Sequence, residues 1–148
     1  MPMLRNALYV SDAGTRAARL VELALEAKGF EYGRGDQVLL AHNTDLFVEL
    51  DSPTAALQYL DKLRPEPALL PHHPLNLAAT LRIVELAVSG ETLPELEERL
   101  RQHDFVLGPQ PSAADLAMHV TAWNDLNVRN LHLMRCMEAF EEWRDELK

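Results

Sequence analysis

"YLDKLRPEPALLPHHP", residues 59–74, divides two well-patterned halves of the chain. It closes a helix-like run and then places Pro65, Pro67, Pro71 and Pro74 in quick succession. Proline fixes φ and lacks an amide hydrogen, so this stretch can be neither a helix interior nor a central strand. It reads as a stiff, extended strap joining two units. The prolines hold it extended at low entropic cost, because they restrict the unfolded chain as well.

Upstream of the strap the pattern is mixed α/β. "NALYVS" (6–11) is a short apolar strand closed by the turn residues "DAG". "TRAARLVELALEAKG" (15–29) follows as a helix with Leu20, Leu23, Ala24 and Ala27 on one face and Gly29 as its stop. "FEYG" (30–33) reads as a second strand. "QVLLAHNTDLFVEL" (37–50) reads as a hairpin turning at His42-Asn43-Thr44-Asp45. Ser52 before Pro53 places a capping hydroxyl and an N1 proline at the start of the next helix, whose apolar positions are Ala56, Leu57 and Leu60.

Downstream the chain is wholly helical. "LNLAATLRIVELAVSG" (75–90) sets Leu77, Leu81, Val84 and Val88 on one stripe. Thr92 and Glu95 have the spacing of a capping box for a helix through about His103, and Ser112 and Asp115 repeat it for a helix over 111–125. The last helix, 131–148, presents Leu133, Met137, Phe140 and Leu147. The order is β-α-β-β-α, strap, four helices, which divides the chain into an α/β lobe (1–62), a linker (63–74) and a helical lobe (75–148).

Composition narrows the function classes. A chain of 148 residues buries roughly 68–70% of its unfolded surface, enough for a core without metal or disulfide staples. Cys136 has no second cysteine to pair with, which suits a reducing cytoplasm. A net charge of −9 argues against a direct grip on nucleic-acid phosphates. The chain opens on no basic-then-apolar leader, and no run is apolar enough to span a membrane. No phosphate loop, nucleophile elbow or paired catalytic carboxylates occur.

Three stretches resemble the glutathione transferase superfamily. "LVELALEAKGFEY" (20–32) is similar to the family's first helix running into its second strand. "DSPTAALQYLDKLRPEPALLPHHP" (51–74) is similar to its acidic-Ser motif, third helix and interlobe linker. "FVLGPQPSAADLAMH" (105–119) is similar to the N-capping box that nucleates the central helix of its all-α lobe. The resemblance implies a reduced thioredoxin-like N-terminal lobe with a shortened glutathione-transferase-like helical C-terminal lobe. The strap is most similar to the stringent starvation protein A branch, whose members pair with RNA polymerase; that branch has Pro-His-Pro where this chain has Pro65-Glu66-Pro67. Two features of the family are missing. Only "GRGDQ" (33–37) fills the interval that holds a helix in the family, and no proline opens the third strand.

The resemblance also implies candidate site residues. Thr15 stands where relatives carry the active Ser or Cys, and Ser11 ends the first strand where other classes keep a Ser or Tyr. A hydroxyl at a helix start can hold a thiolate, although Thr15 equally caps its helix. Tyr9 reads as a buried strand residue. Asp51 and Ser52 match the motif that receives the γ-glutamyl carboxylate. Ser112 and Asp115 are structural capping residues. Pro65, Glu66 and Pro67 are the candidate partner-binding residues. His72 and His73 read as solvated linker, with a share in a partner-binding face beside Glu66 as the alternative, since adjacent histidines alone offer no metal-ligand set, and no metal is expected. Cys136 reads as a small packed hydrophobe, and His119 and Trp123, a turn apart on one helix, read as core, with the lining of a cleft between the lobes as the alternative.

Three functions stay open. One is a non-catalytic interaction or regulatory module with a protein partner such as RNA polymerase or a related regulator, needing no cofactor. Another is a small glutathione-dependent transferase or thiol reductase using Thr15 or Ser11 and completed as a homodimer. The third is a binder of a small acidic ligand at the Ser52 helix start. All three fit a cytoplasmic protein that makes no direct contact with nucleic acid or membrane.

Overall fold

In a computed structural model, which describes residues 6–35, 38–121 and 126–146, the first half folds around a four-stranded sheet. Strand β1 (Leu8–Ser11) pairs parallel with β2 (Tyr32–Gly35) and antiparallel with β3 (Leu40–His42), which pairs antiparallel with β4 (Val48–Leu50). The sheet order is β2-β1-β3-β4. The hairpin's two arms therefore count separately, and the lobe reads β-α-β-β-β-α instead of the expected β-α-β-β-α. The second strand lies two residues later than "FEYG".

Between β2 and β3 lie only residues 36–39, too few for a helix. Those strands flank β1 on opposite sides, so β2 ends and β3 begins beside the C-terminal end of β1. Both flanks are tied to that end: the Asp12 amide donates to Gly35 O at 2.8 Å and the Ser11 amide to Leu39 O at 3.0 Å. Gly33 belongs to the same corner. A Cβ there would stand 2.9 Å from the Tyr9 ring, so the half-buried ring packs where only glycine leaves room.

Helix α1 (Arg16–Lys28) is the hub of the molecule. The predicted face of Leu20, Leu23, Ala24 and Ala27 is fully buried, and Ala18, Val21 and Leu25 are buried as well. It packs on β1 and on α2 (Pro53–Leu63), and on three helices of the second half: α3 (Pro74–Val88), α5 (Ala113–Met118) and α6 (Leu126–Glu146). One continuous core therefore runs through both lobes.

The strap is organised by a residue that periodicity did not single out. Lys28, in the last turn of α1, has no exposed side-chain surface. Its ammonium donates to the carbonyl of Pro67 at 2.8 Å and to that of Arg64, and it pairs with Asp61 at 2.8 Å. An ammonium carries three donors, so its capacity is filled. Burial lowers the Lys28 pKa, and the hydrogen bond and charge of Asp61 oppose that shift. Asp61 completes the clamp by accepting the amides of Leu69 and Leu70, both at 2.9 Å. The strap is thus fastened at residues 64, 67, 69 and 70 around one buried ion pair, with the Glu66–Pro67 peptide cis.

The helical half departs from expectation in its boundaries. Helix α4 (Pro94–Gln102) has Leu93 as N-cap with no side-chain cap bond. Pro94 at N1 shifts the start one residue on, which moves Glu95 to N2 and breaks the expected box with Thr92. Helix α5 forms the predicted Ser112–Asp115 box but ends at Met118, well short of 125. The last helix begins at Leu126, ahead of the predicted 131, and its buried residues are His132, Cys136 and Phe140; Leu133 and Met137 flank them half-buried. In α3 the buried positions are Thr80, Ile83, Val84 and Ala87, so the contact face is rotated from the predicted Leu77/Leu81/Val84/Val88 stripe toward the smaller residues that let α5 approach. Trp123 and Leu147 lie outside the described residues.

Candidate functional site

Where β1 hands over to α1, a cleft of about 290 Å³ opens between the two lobes. Thr15 and Arg16 line it from the start of α1, Arg19 from the next turn, His119 from the end of α5 and Arg129 from α6. In a chain of net charge −9, three arginines line one helix start and make a local positive field, although the Arg16 guanidinium lies toward Gly90, and the helix N-terminus adds to it. Arg19 is partly balanced by Glu22 at 3.2 Å, a carboxylate that also pairs with Arg34 at 2.8 Å. The cleft suits an anion.

Of the predicted catalytic hydroxyls, the structure brings Thr15 into this cleft. Its Oγ1 accepts the Ala18 amide at 3.1 Å and so caps α1. Ser11 Oγ accepts the Ala13 amide at 3.1 Å across the turn. Asp51 and Ser52 are exposed and lie outside the cleft wall. Ser52 Oγ accepts the Ala55 amide at 3.3 Å and is 3.0 Å from Thr54 Oγ1. Pro53 at N1 removes one amide that a bound carboxylate would use.

The candidate partner residues separate by exposure. Pro65 and Glu66 face solvent, whereas Pro67 is buried with its carbonyl on Lys28. Shallow grooves of about 350 and 290 Å³ run along the strap, the first bounded by Glu66 and Trp143 and the second by Pro65 and Leu77; His72 borders both. His72 and His73 are exposed, and His73 has a local role, its Nδ1 accepting the Leu75 amide at 3.2 Å as N-cap of α3.

Behind the cleft lies a polar cluster that the sequence reading missed. Asp115, wholly buried, accepts the amides of Val106 at 2.9 Å and Ser112 at 3.0 Å, and its Oδ1 is 2.9 Å from His132 Nε2. The same nitrogen is 3.3 Å from Cys136 Sγ. Cys136 is therefore not a bare packed hydrophobe: it faces an imidazole. Both contacts fall on one nitrogen, so this is not the relay in which a carboxylate orients one side of a histidine and a nucleophile meets the other. Burial, and secondarily the charge of Asp115, push the thiol pKa up, which keeps it protonated. His119 stacks on His132 with centroids 5.0 Å apart. Burial, then repulsion from His132, Arg129 and Arg19, lowers the His119 pKa to about 3. The 132/136 spacing of i and i+4 on one helix was the available signal.

No protein-family model and no curated protein matches the sequence. Solved structures do match the architecture. Maleylacetoacetate isomerase from Anaeromyxobacter dehalogenans 2CP-1, solved with glutathione bound in its active site, superposes with a TM-score of 0.67 at 22% identity, covering 93% of this chain and 91% of that one. A glutathione S-transferase from Rhodospirillum rubrum F11 gives 0.65 at 14% identity over 85% and 86% of the two chains. The chain has the glutathione transferase fold. FzlA from C. crescentus gives the same picture, with a TM-score of 0.67 at 15% identity over 93% and 92%. In this fold the β2-β1-β3-β4 sheet is the thioredoxin-like lobe, and α3 to α6 are a compact helical lobe. Among the described helices none is long and apolar enough to cross a membrane.

Proposed function

We propose that the chain is a non-catalytic interaction and regulatory module of glutathione transferase fold, using the exposed part of its strap to hold a protein partner. The observation that carries this reading is the four-residue interval, 36–39, between β2 and β3. It has no room for the helix that the resemblance leads one to expect, and β3 opens without the expected proline, so the backbone that would align a thiol peptide for chemistry is reduced. Thr15 and Ser11 meanwhile accept backbone amides locally, and the buried thiol of Cys136 is held protonated. Pro65 and Glu66 present a stiff, pre-ordered edge flanked by two grooves, a surface that loses little conformational entropy on docking. The partner class is a protein of the transcription machinery, RNA polymerase or a regulator of it. Immobilised protein should retain purified RNA polymerase and lose it on Glu66→Arg. Equal retention by wild type and variant would reject the strap as the contact, and no retention by either would reject this partner.

A second reading is favoured by the three arginines that line the cleft. Glutathione or another small polycarboxylate binds at the start of α1, by charge and without thiolate activation. Amide NMR shifts during a glutathione titration should saturate and cluster around residues 14–19 and 119–121, and Arg16→Glu should abolish them. Shifts that centre on Ser52 would move the ligand to the other helix start. Turnover of a chlorinated aromatic acceptor that Thr15→Val eliminates would replace both readings with that of an enzyme.

A further inference from the structure

We propose that His119, His132 and Cys136 form a binding site for a zinc ion inside the helical lobe, a property independent of either functional reading. One ring nitrogen from each histidine and the cysteine sulfur lie within 4.8 Å of one another. The residues are nearly or wholly buried, at 3%, 4% and 0% exposed. His132 and Cys136 are one turn apart on a single face of α6, and His119 ends α5 opposite them. Two rigid elements therefore converge on one point.

The distances suit a small cation. Zinc holds nitrogen at about 2.0–2.1 Å and sulfur at about 2.3 Å, so tetrahedral ligand atoms stand roughly 3.3–3.6 Å apart. The His132 Nε2 to Cys136 Sγ distance is already 3.3 Å. Closing the remaining separations, up to 4.8 Å, takes small side-chain rotations on His119 and Cys136. Two imidazoles and a thiolate are a borderline-soft donor set, which selects zinc over magnesium or calcium.

Charge completes the argument. Binding replaces the thiol proton, which leaves to solvent, with a zinc–thiolate bond. Two neutral imidazoles add nothing to the balance. The divalent ion is then compensated by the thiolate and by the buried Asp115 carboxylate, whose Oδ1 stands 2.9 Å from the same His132 nitrogen. On binding, that nitrogen exchanges its hydrogen bond to Asp115 for the ion, with the ring proton on Nδ1, so the filled site is neutral overall. Three protein ligands leave the fourth position to water, which reaches His119 through the cleft it lines.

The test uses the full chain, stripped with a chelator and titrated with cobalt, which reports a thiolate ligand by a near-ultraviolet charge-transfer band and tetrahedral geometry by intense visible bands. The expected result is one equivalent bound, both features present, displacement by zinc, and release of a proton. Cys136→Ala should remove the charge-transfer band and weaken zinc binding at least a hundredfold. His119→Gln, on a different helix, should weaken it tenfold or more while leaving the band, which guards against a misfolded first variant. His72→Ala/His73→Ala should change nothing. Absence of the thiolate band at saturating cobalt, or zinc binding retained in a folded Cys136→Ala protein, would overturn the assignment.

Discussion

Replacing Asp61 by asparagine should unfold this protein more readily than most core truncations, although Asp61 is not in the apolar core. The Lys28 ammonium has no exposed surface, and among the described residues Asp61 is the carboxylate that pairs with it. Its other two acceptors are the Pro67 and Arg64 carbonyls. Asparagine is close to isosteric but neutral, which leaves a buried charge uncompensated. Its amide also turns a donor toward the Leu69 or Leu70 amide, each of which now meets a carboxylate oxygen at 2.9 Å. Removing one partner of a buried pair costs about 3–5 kcal/mol. For a chain of this size that is a fall in Tm of roughly 6–20 °C. Lys28→Met is the milder change. It deletes the buried charge, keeps the stem and leaves Asp61 on its two amides, so its cost is on the order of 1–2 kcal/mol. The double variant is decisive. If the Asp61→Asn cost comes from the stranded ammonium, then adding Lys28→Met should recover at least about half of it, a coupling that double-mutant cycles resolve. Urea unfolding followed by circular dichroism at pH 7.5 measures all four proteins. Additive losses, or an Asp61→Asn protein within about 1 kcal/mol of wild type, would refute the view that this pair holds the strap.

The same lysine gives a pH signature. Burial holds its native pKa below the ordinary lysine value, so on alkalinisation the native state releases the proton before the unfolded chain does. Wild type should therefore gain stability relative to Lys28→Met as pH rises toward about 10.4, read from urea midpoints at pH 7.5 and pH 10. Asp115→Ala orphans two buried amides and the His132 contact. At about 1–3 kcal/mol for each unsatisfied group it should cost at least about 3 kcal/mol, seen as a collapsed thermal transition, whereas Ser112→Ala should cost only about 1 kcal/mol. Gly29→Ala should cost about 1–2 kcal/mol for its positive φ of 76° alone. The Arg144 guanidinium occupies the place a Cβ would take, so hydrogen exchange should also quicken at the C-terminal end of α6.

Legibility in the sequence followed how local each determinant is. Strand β1, helix α1, the Ser52-Pro53 start and the Ser112–Asp115 box were readable because period, cap and stop sit within one element. Boundaries set by competition were not. Pro94 displaced the Thr92 box, and α5 ended at Met118 although its apolar pattern runs on. The strap was recognised from its prolines, but not its anchor, because a lysine in the last turn of a helix ordinarily signals a solvated end. Only the tertiary placement of Asp61 and the Pro67 carbonyl makes it interior. The site was legible by halves. Thr15 was found from the helix start; the arginines were not, since Arg129 reaches the cleft from a helix more than a hundred residues further along the chain.

Cys136 shows why the remaining part was hidden, and what that implies. From sequence its neighbours are Arg135 and Met137, and a lone cysteine on an apolar stripe is more often packing than chemistry. The stripe as read ran through Leu133, Met137 and Phe140. Helix α6 in fact buries His132, Cys136 and Phe140, a rotation of about one residue that moves leucine and methionine to the flank and puts imidazole and thiol inside. The carboxylate opposite supplies a physical reason for that rotation. Asp115 is fixed by its own capping box and by the Val106 amide, and a buried carboxylate needs hydrogen-bond donors around it. Rotating α6 by one residue would set Leu133 there and leave Asp115 without its third contact. A capping box that looked purely local thus selects which face of a distant helix is core. The Asp115→Asn variant separates this role from capping: asparagine can still accept the Ser112 amide, but with no charge it holds His132 less firmly. If the carboxylate sets the face, Cys136 in Asp115→Asn should react with a thiol reagent at least tenfold faster than in wild type, while Ser112→Ala leaves the rate unchanged. Equal protection in both variants would mean that apolar packing alone orients α6.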